Sequence, residues 1–371
     1  MPRIAIVGGG LSGLYAALLL ERQHLDYVLL EARNRFGGRI ESIPSGAHGF
    51  EDTVGLRPAI NRFDVGAAWY WPAIQPHLAD VIKELGLEGF EQHEEGDMLI
   101  EGSPNYPATR VSGYIATPRT MRLIGGMTSM VEAISRCLSP ARLRTQVRVH
   151  SIANSKDCSK IAATNSSGAT ESFEVETVLL AVPPRVAAKT IEFEPQIPPS
   201  WSREWDDIGT WMAPHAKYVA TFGEAFWRKK GLSGEARSIA GPLAEIHDSS
   251  AVRGDAALFG FLRVPAEERA GRAEDELKAD CRAQLVRLFG PDADQPKDEF
   301  LKDWAREPFT ATQMDQHPGL HQTQAPPALA DSGPWQNRLI GIASEWSPQF
   351  PGYVAGAIDA ATRGVMALGE F

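Results

Sequence analysis

Cysteine is scarce. Cys137, Cys158 and Cys281 are scattered along 371 positions, and an odd, dispersed set gives neither a disulfide framework nor the paired spacing of a zinc site. No apolar run approaches the about 20 residues that cross a bilayer. The chain opens directly on a strand-like segment, which leaves no room for a signal peptide; a cytoplasmic protein without membrane contact is expected. Lys and Arg nowhere cluster into a track for a phosphate backbone, and the formal net charge is −10, so nucleic acid is not an expected partner. No Ser-His-Asp or Cys-His arrangement is evident. His317 and His321 have H-x-x-x-H spacing, but Pro318 and Gly319 break the helix that would align them, and no metal is expected.

What is present is the balance of a globular protein, 43% hydrophobic and 23% charged. The length calls for two domains or one elaborated α/β unit. The organising stretch is residues 4 to 39. Arg3 to Val7 is a β-branched-rich apolar run suited to a buried parallel strand. Gly8, Gly10 and Gly13 follow in G-x-G-x-x-G spacing, Leu11 to Glu21 reads as a buried helix, and Tyr27 to Leu30 as the next strand. Gly8 allows the tight turn, Gly10 lets backbone approach a pyrophosphate, and Gly13 lets helix and strand pack closely. The helix start at Leu11 and Ser12 offers unpaired N–H groups to that anion. Glu31, 18 residues after Gly13, stands where a carboxylate accepts ribose hydroxyls. These features alone allow NAD, NADP or FAD.

The next stretch is more specific. The strand ends in Glu31-Ala32-Arg33 and runs into Gly37-Gly38-Arg39. A dinucleotide turn followed by E-A-R-x-R-x-G-G-R resembles the flavin-containing amine oxidase superfamily, of monoamine-oxidase-like type. Arg33 and Arg39 would bring guanidinium donors to a diphosphate. The resemblance continues at Asp64-x-Gly66-x-x-Trp69, where Gly66, Ala67, Ala68 and Trp69 would lie against the flavin ring; Tyr70 and Trp71 read as core aromatics. Gly125-Gly126 and a helix over 128–138 return the chain to the flavin side, and Val147 or Val149, on a strand over 147–152, would touch adenine. Val175 to Val182 reads as one buried strand stopped by Pro183-Pro184. Residues 195–199 read as a crossover between domains.

Lys217 stands nine residues before Phe226-Trp227-Arg228-Lys229-Lys230, as in relatives where this lysine holds a water at flavin N5. A strand-like apolar context makes a lysine there costly unless it has a role; the competing reading is an outward-facing lysine on an edge strand. Glu267 to Phe289 reads as a solvated surface helix. Trp304 opens a W-x-x-x-x-[YF]-[ST] segment. The position that carries a flavin-linking cysteine in some relatives is Gln313, so non-covalent FAD is implied. The next position, often an aromatic-cage tyrosine, is Met314. Near the end, Ser344 and Glu345 match the family's G-T-E, and Tyr353 and Val354 begin a glycine-rich helix beside the flavin, with Tyr353 as the other cage tyrosine.

The resemblance implies an α/β fold: a Rossmann-like FAD domain (1–77, 122–206 and 311–371) interleaved with an α+β substrate domain on a mixed sheet (78–121 and 207–310). Lys217 and Tyr353 are the implied catalytic pair, an amine the implied substrate and oxygen the acceptor, with a homodimer among the allowed assemblies. The long helical insertion that covers the cavity in larger relatives is much shorter here. Two other readings stay open at this point: a flavin-dependent desaturase or dehydrogenase of a non-amine, and a flavin-binding partner without turnover.

Overall fold

The computed structural model describes residues 3–46, 61–155, 157–252, 254–317 and 324–370; Pro318, Gly319 and His321 lie outside them. A parallel five-stranded sheet has the order Leu339–Gly341, Thr177–Leu180, Ile4–Val7, Tyr27–Leu30, Leu143–Arg144. Its three central strands are buried throughout, as expected of a sheet covered on both faces. Helices Leu11–Arg22, Thr128–Arg136 and Val354–Ala367 pack on one face through Leu14, Ala17, Met130, Ile134, Ile358 and Ala361. On the other face lies a meander of Val147–Asn154, Ser159–Asn165 and Thr170–Val175, joined by Glu192–Glu194. Ile152, Ile161, Trp205, Trp335 and Trp346 fill the space between.

The expected single strand over 175–182 is two. Val175 ends the meander and Thr177 begins the parallel strand, with the Glu176 N–H given to the Arg3 carbonyl at 2.9 Å. A continuous apolar run cannot show where a chain leaves one sheet for another.

The second body is a seven-stranded mixed sheet, ordered Asp298–Asp303, Ala216–Phe222, Ala256–Leu262, Leu243–Asp248, Leu232–Ser238, Asp97–Glu101, Thr109–Val111. Ala216–Phe222 is therefore an interior strand. Its side chains alternate: Tyr218, Ala220 and Phe222 face a core with Leu285, Leu288 and Phe289, while Val219 faces Phe63, Val65 and Phe259 on the side of the first body. The stretch expected as one solvated helix is two, Ala266–Ala270 and Glu274–Phe289, and the second is solvated on one side only. Leu277, Cys281, Leu285 and Leu288 form a buried stripe at helical spacing, which the abundant flanking charges obscured.

Where larger relatives are expected to carry a helical insertion, residues 89–123 form the short pair Gly89–Glu91 with Met121–Leu123 and the hairpin that extends the seven-stranded sheet. Helix Pro76–Glu84 packs Leu78, Val81 and Ile82 into the core of the five-stranded body.

Candidate active site

A cavity of about 780 Å³ runs from the carboxyl ends of the parallel strands to the inner face of the seven-stranded sheet. Gly8, Gly10, Leu11 and Ser12 line its nucleotide end. Gly13 does not. A Cβ there would stand 2.0 Å from the Gly8 carbonyl oxygen, so this glycine serves helix–strand contact. Helix Leu11–Arg22 has no side-chain cap and no acid in its first turn, which leaves its positive end to the cavity. The buried Glu31 carboxylate accepts from the Gly9 N–H at 2.7 Å and the Arg33 N–H at 2.8 Å, and Ala32 and Val147 complete this wall. Arg33 donates to Glu307 at 3.1 Å and Thr310 at 2.9 Å while its Nε, although buried, has no partner. The guanidinium groups of Arg33 and Arg148 lie 5.3 and 5.7 Å from the centre of the Phe309 ring.

In the middle of the cavity, Gly38 holds φ +59°, and a Cβ there would come within 3.2 Å of Gly10 Cα. The two turns can meet only without side chains. Arg39 makes a two-pronged ion pair with Glu345 (2.6 and 2.9 Å) and donates to Ser344 Oγ at 3.0 Å. Ser344 and Arg39 line the cavity; Glu345 is buried behind them. Burial alone would raise the Glu345 carboxyl, but the Arg39 charge and hydrogen bonds outweigh it and hold it below the usual carboxylate range.

At the far end Gly66, Ala67, Ala68 and Trp69 form a wall of small side chains ended by an indole. Trp304 donates its indole N–H to the Val65 carbonyl at 3.1 Å. Lys217 is 3% exposed and donates to the Gly66 carbonyl at 3.2 Å, with Nζ 4.0 Å from the centre of the Phe259 ring. Burial, opposed by Asp64 and reinforced by Arg122, pushes its ammonium down to about 7. The edge-strand alternative for Lys217 is excluded by its place between two partner strands.

Tyr353 precedes helix Val354–Ala367, a second helix start with no side-chain cap and no acid in its first turn, and Tyr353 and Val354 both line the cavity. The Tyr353 ring lies 6.4 Å from Trp71 and 6.0 Å from Trp211. Tyr70 is core, as expected, but Trp71 lines the cavity instead. Met314 is 50% exposed and outside the lining, so the aromatic neighbours of Tyr353 come from other segments. Phe259, Phe309, Trp71 and Trp211 were missed as site residues. The sequence signal for Phe259 was an ordinary apolar alternation, and Trp211 lies in a loop outside any motif. Among the described residues no group of three or more His, Cys, Asp and Glu side chains could hold a metal ion, and no helix is long and apolar enough to cross a membrane.

A glycine-built cradle between two uncapped helix starts, ending at a buried lysine and an aromatic cluster, defines a flavin-dependent oxidoreductase. Residues 108–368 match the family model for flavin containing amine oxidoreductases, and residues 6–85 match that for an NAD(P)-binding Rossmann-like domain; the chain belongs to the flavin containing amine oxidoreductase family. Among curated relatives, a probable flavin-containing monoamine oxidase A of Dictyostelium discoideum is 22% identical over 83% of this chain and 84% of its own. Human flavin-containing amine oxidase B is 22% identical over 97% of this chain and 84% of its own. The fold is shared with putrescine oxidase bound to putrescine (TM-score 0.79, 19% identity, 100% and 99% of the two chains). It is also shared with cyclohexylamine oxidase from Brevibacterium oxydans IH-35A (TM-score 0.76, 16% identity, 100% and 99%).

The residues fit a flavin dinucleotide. The glycine turns Gly8, Gly10 and Gly38 bring backbone to the cavity wall, and the two uncapped helix starts turn unpaired N–H groups toward the same space, as an anionic dinucleotide requires.

Proposed function

We propose that the protein is an amine oxidase with non-covalent FAD, taking a CH–NH2 substrate to the imine and passing the electrons to oxygen as hydrogen peroxide. The observation that carries the reading is Lys217, a buried and partly neutral amine at the ring end of a cavity built for a dinucleotide. Bound FAD supplies the electron chemistry. The protein's part is positional. Gly8 to Ser12, Arg39 and the start of helix Val354–Ala367 hold the anionic and pyrimidine parts. Gly66 to Trp69 and Trp304 pack the ring and exclude water. Lys217 holds or moves one proton at Nζ, and Tyr353 orients the amine through its π face.

Division of the chain into a flavin domain of 1–77, 122–206 and 311–371 and a substrate domain of 78–121 and 207–310 belongs to the same proposal, with Pro76–Glu84 at its border. Cytoplasmic location and a homodimer are further parts of it.

Bleaching of the yellow protein by an amine under anaerobic conditions tests the activity. Reduction by a non-amine alone would favour the desaturase or dehydrogenase reading, and no reduction by any donor would favour a carrier. Non-covalent attachment rests on Gln313, which is exposed. Acid precipitation is expected to leave all the flavin in the supernatant, and a yellow pellet would refute it. Tyr353→Leu is expected to raise KM for the amine about tenfold, roughly the worth of one desolvated cation–π contact, with flavin content unchanged. A loss confined to kcat would contradict an orienting role. Gly13→Val is expected to yield protein without flavin, read from its absorbance, because a side chain there collides with the Gly8 carbonyl.

A further inference from the structure

The strand beside Lys217 carries a second lysine, Lys302, which lies outside the cavity lining. The two are register partners in the antiparallel pair of Ala216–Phe222 and Asp298–Asp303, so their side chains leave the sheet on the same face. The Lys302 ammonium stands 2.9 Å from the Glu41 carboxylate, 2.5 Å from that of Glu307 and 4.7 Å from the centre of the Trp304 ring. The Lys302, Glu41 and Glu307 side chains are 18, 18 and 23% exposed, so both pairs are largely shielded from water.

Glu41 follows the Gly37-Gly38 turn, and its backbone serves the flavin wall. The Glu41 carbonyl accepts from the N–H groups of Val65 and Gly66 at 3.0 and 3.2 Å. The carbonyls of those same two residues are taken by the seven-stranded body. Trp304 donates to Val65 at 3.1 Å and Lys217 donates to Gly66 at 3.2 Å. The contacts therefore close on themselves. Lys302 holds the Glu41 side chain, the Glu41 carbonyl holds residues 65 and 66, and these hold Trp304 and Lys217, which flank Lys302 in the sheet.

We infer that Lys302 is a positioning residue for flavin reduction: it fastens this ring of contacts and so fixes Lys217 and Trp304 against the Gly66 wall, touching neither substrate nor flavin itself. Asp298–Asp303 is the edge strand of its sheet and is bonded to one neighbouring strand only, so its outer side needs another fastening. An isolated exposed ion pair would hold it weakly. Lys302 instead bridges two acids, each tied to an arginine of the glycine-turn segment. Arg35 donates to Glu41 at 2.9 Å and to the Gly38 carbonyl at 3.1 Å, and Arg33 donates to Glu307 at 3.1 Å. Charge thus alternates from Arg35 through Glu41, Lys302 and Glu307 to Arg33. Burial would raise the Glu307 carboxyl, but the hydrogen bond and charge of Lys302, followed by Arg33, hold it below the usual carboxylate range. Loss of the central cation would leave two carboxylates facing each other across the seam between the bodies.

The test compares FAD-saturated wild type with Lys302→Met, which keeps the stem, and with Lys302→Arg, which can still bridge both acids. Amide hydrogen exchange over residues 64–67 and 300–306 is expected to quicken in Lys302→Met and to return to the wild-type rate in Lys302→Arg. Unchanged exchange in Lys302→Met would overturn the proposal. The kinetic arm rests on the amine oxidase reading. At saturating amine the rate of flavin reduction should fall about tenfold or more in Lys302→Met, the cost of a small misplacement of the reacting groups. KM for the amine should stay unchanged, and Lys302→Arg should restore the rate. A rate equal to that of the wild type, a loss confined to KM, or a loss that arginine does not repair would overturn the positioning role. If Lys302→Met does not fold, Glu41→Gln, which keeps the backbone carbonyl and gives up the anion, is read in the same way. If no amine reduces the flavin the amine oxidase reading fails, while hydrogen exchange still decides the fastening.

Discussion

Lys217→Met is expected to slow anaerobic flavin reduction by an amine about 10²-fold or more, the range of a positioned acid–base group, while the purified protein stays yellow. Methionine keeps the length and apolar contacts of the stem but cannot donate to the Gly66 carbonyl or hold a proton. The cavity wall is otherwise unchanged, so flavin content should be that of the wild type. Stopped-flow reduction against amine concentration is the measurement. Unchanged reduction would remove Lys217 from the chemistry.

The same variant carries a stability signature. The folded ammonium is pushed down to about 7 by burial, whereas the unfolded lysine titrates near about 10.4. Between these values the unfolded chain binds more protons than the folded one, so stability of the apoprotein rises with pH across that window. The slope is at most about 1.4 kcal/mol per pH unit. Below about 7 both states are protonated and the burial cost is present in full. Lys217→Met should be more stable than wild type at neutral pH and should lack this rise in urea titrations.

Arg39→Met is the second large effect. It removes the guanidinium that meets Glu345 with two hydrogen bonds and leaves that carboxylate, 3% exposed, without its cation. Breaking such a pair from one side costs about 3–5 kcal/mol. Glu345 should then titrate upward, making the loss greatest at neutral pH and smaller in acid. Flavin affinity should also fall, because Arg39 lines the cavity between the two glycine turns. Arg39→Met combined with Glu345→Gln should recover much of the stability and none of the affinity. Urea unfolding of the apoprotein and quenching of flavin fluorescence separate the two effects; recovery of both would make the pair purely structural.

Much of the site was legible because backbone chemistry imposes it. A tight turn between a buried strand and a helix needs glycines at fixed spacing, so Gly8, Gly10 and Gly13 could be read directly, whereas Gly38 and Gly66 were marked only by the family resemblance. The strands between them had to be apolar on both faces, which made the parallel sheet legible as well. Lys217 could be read from a different kind of tension, a charged residue inside an apolar strand. What escaped was set by long-range packing. Phe259 reaches Lys217 from the third strand after it in sequence, and Trp211 reaches Tyr353 from a loop. Neither carries a local pattern beyond that of any core aromatic. The one-sided burial of Glu274–Phe289 was hidden because charged side chains flank a narrow apolar stripe.

The central claim is tested most directly by titrating the purified yellow protein with a panel of mono- and diamines in the absence of oxygen. The account predicts loss of the flavin's visible absorbance with one of them, and return of the colour with one hydrogen peroxide formed for each amine consumed when oxygen is admitted. Absorbance unmoved by every amine but bleached by a non-amine donor would contradict it.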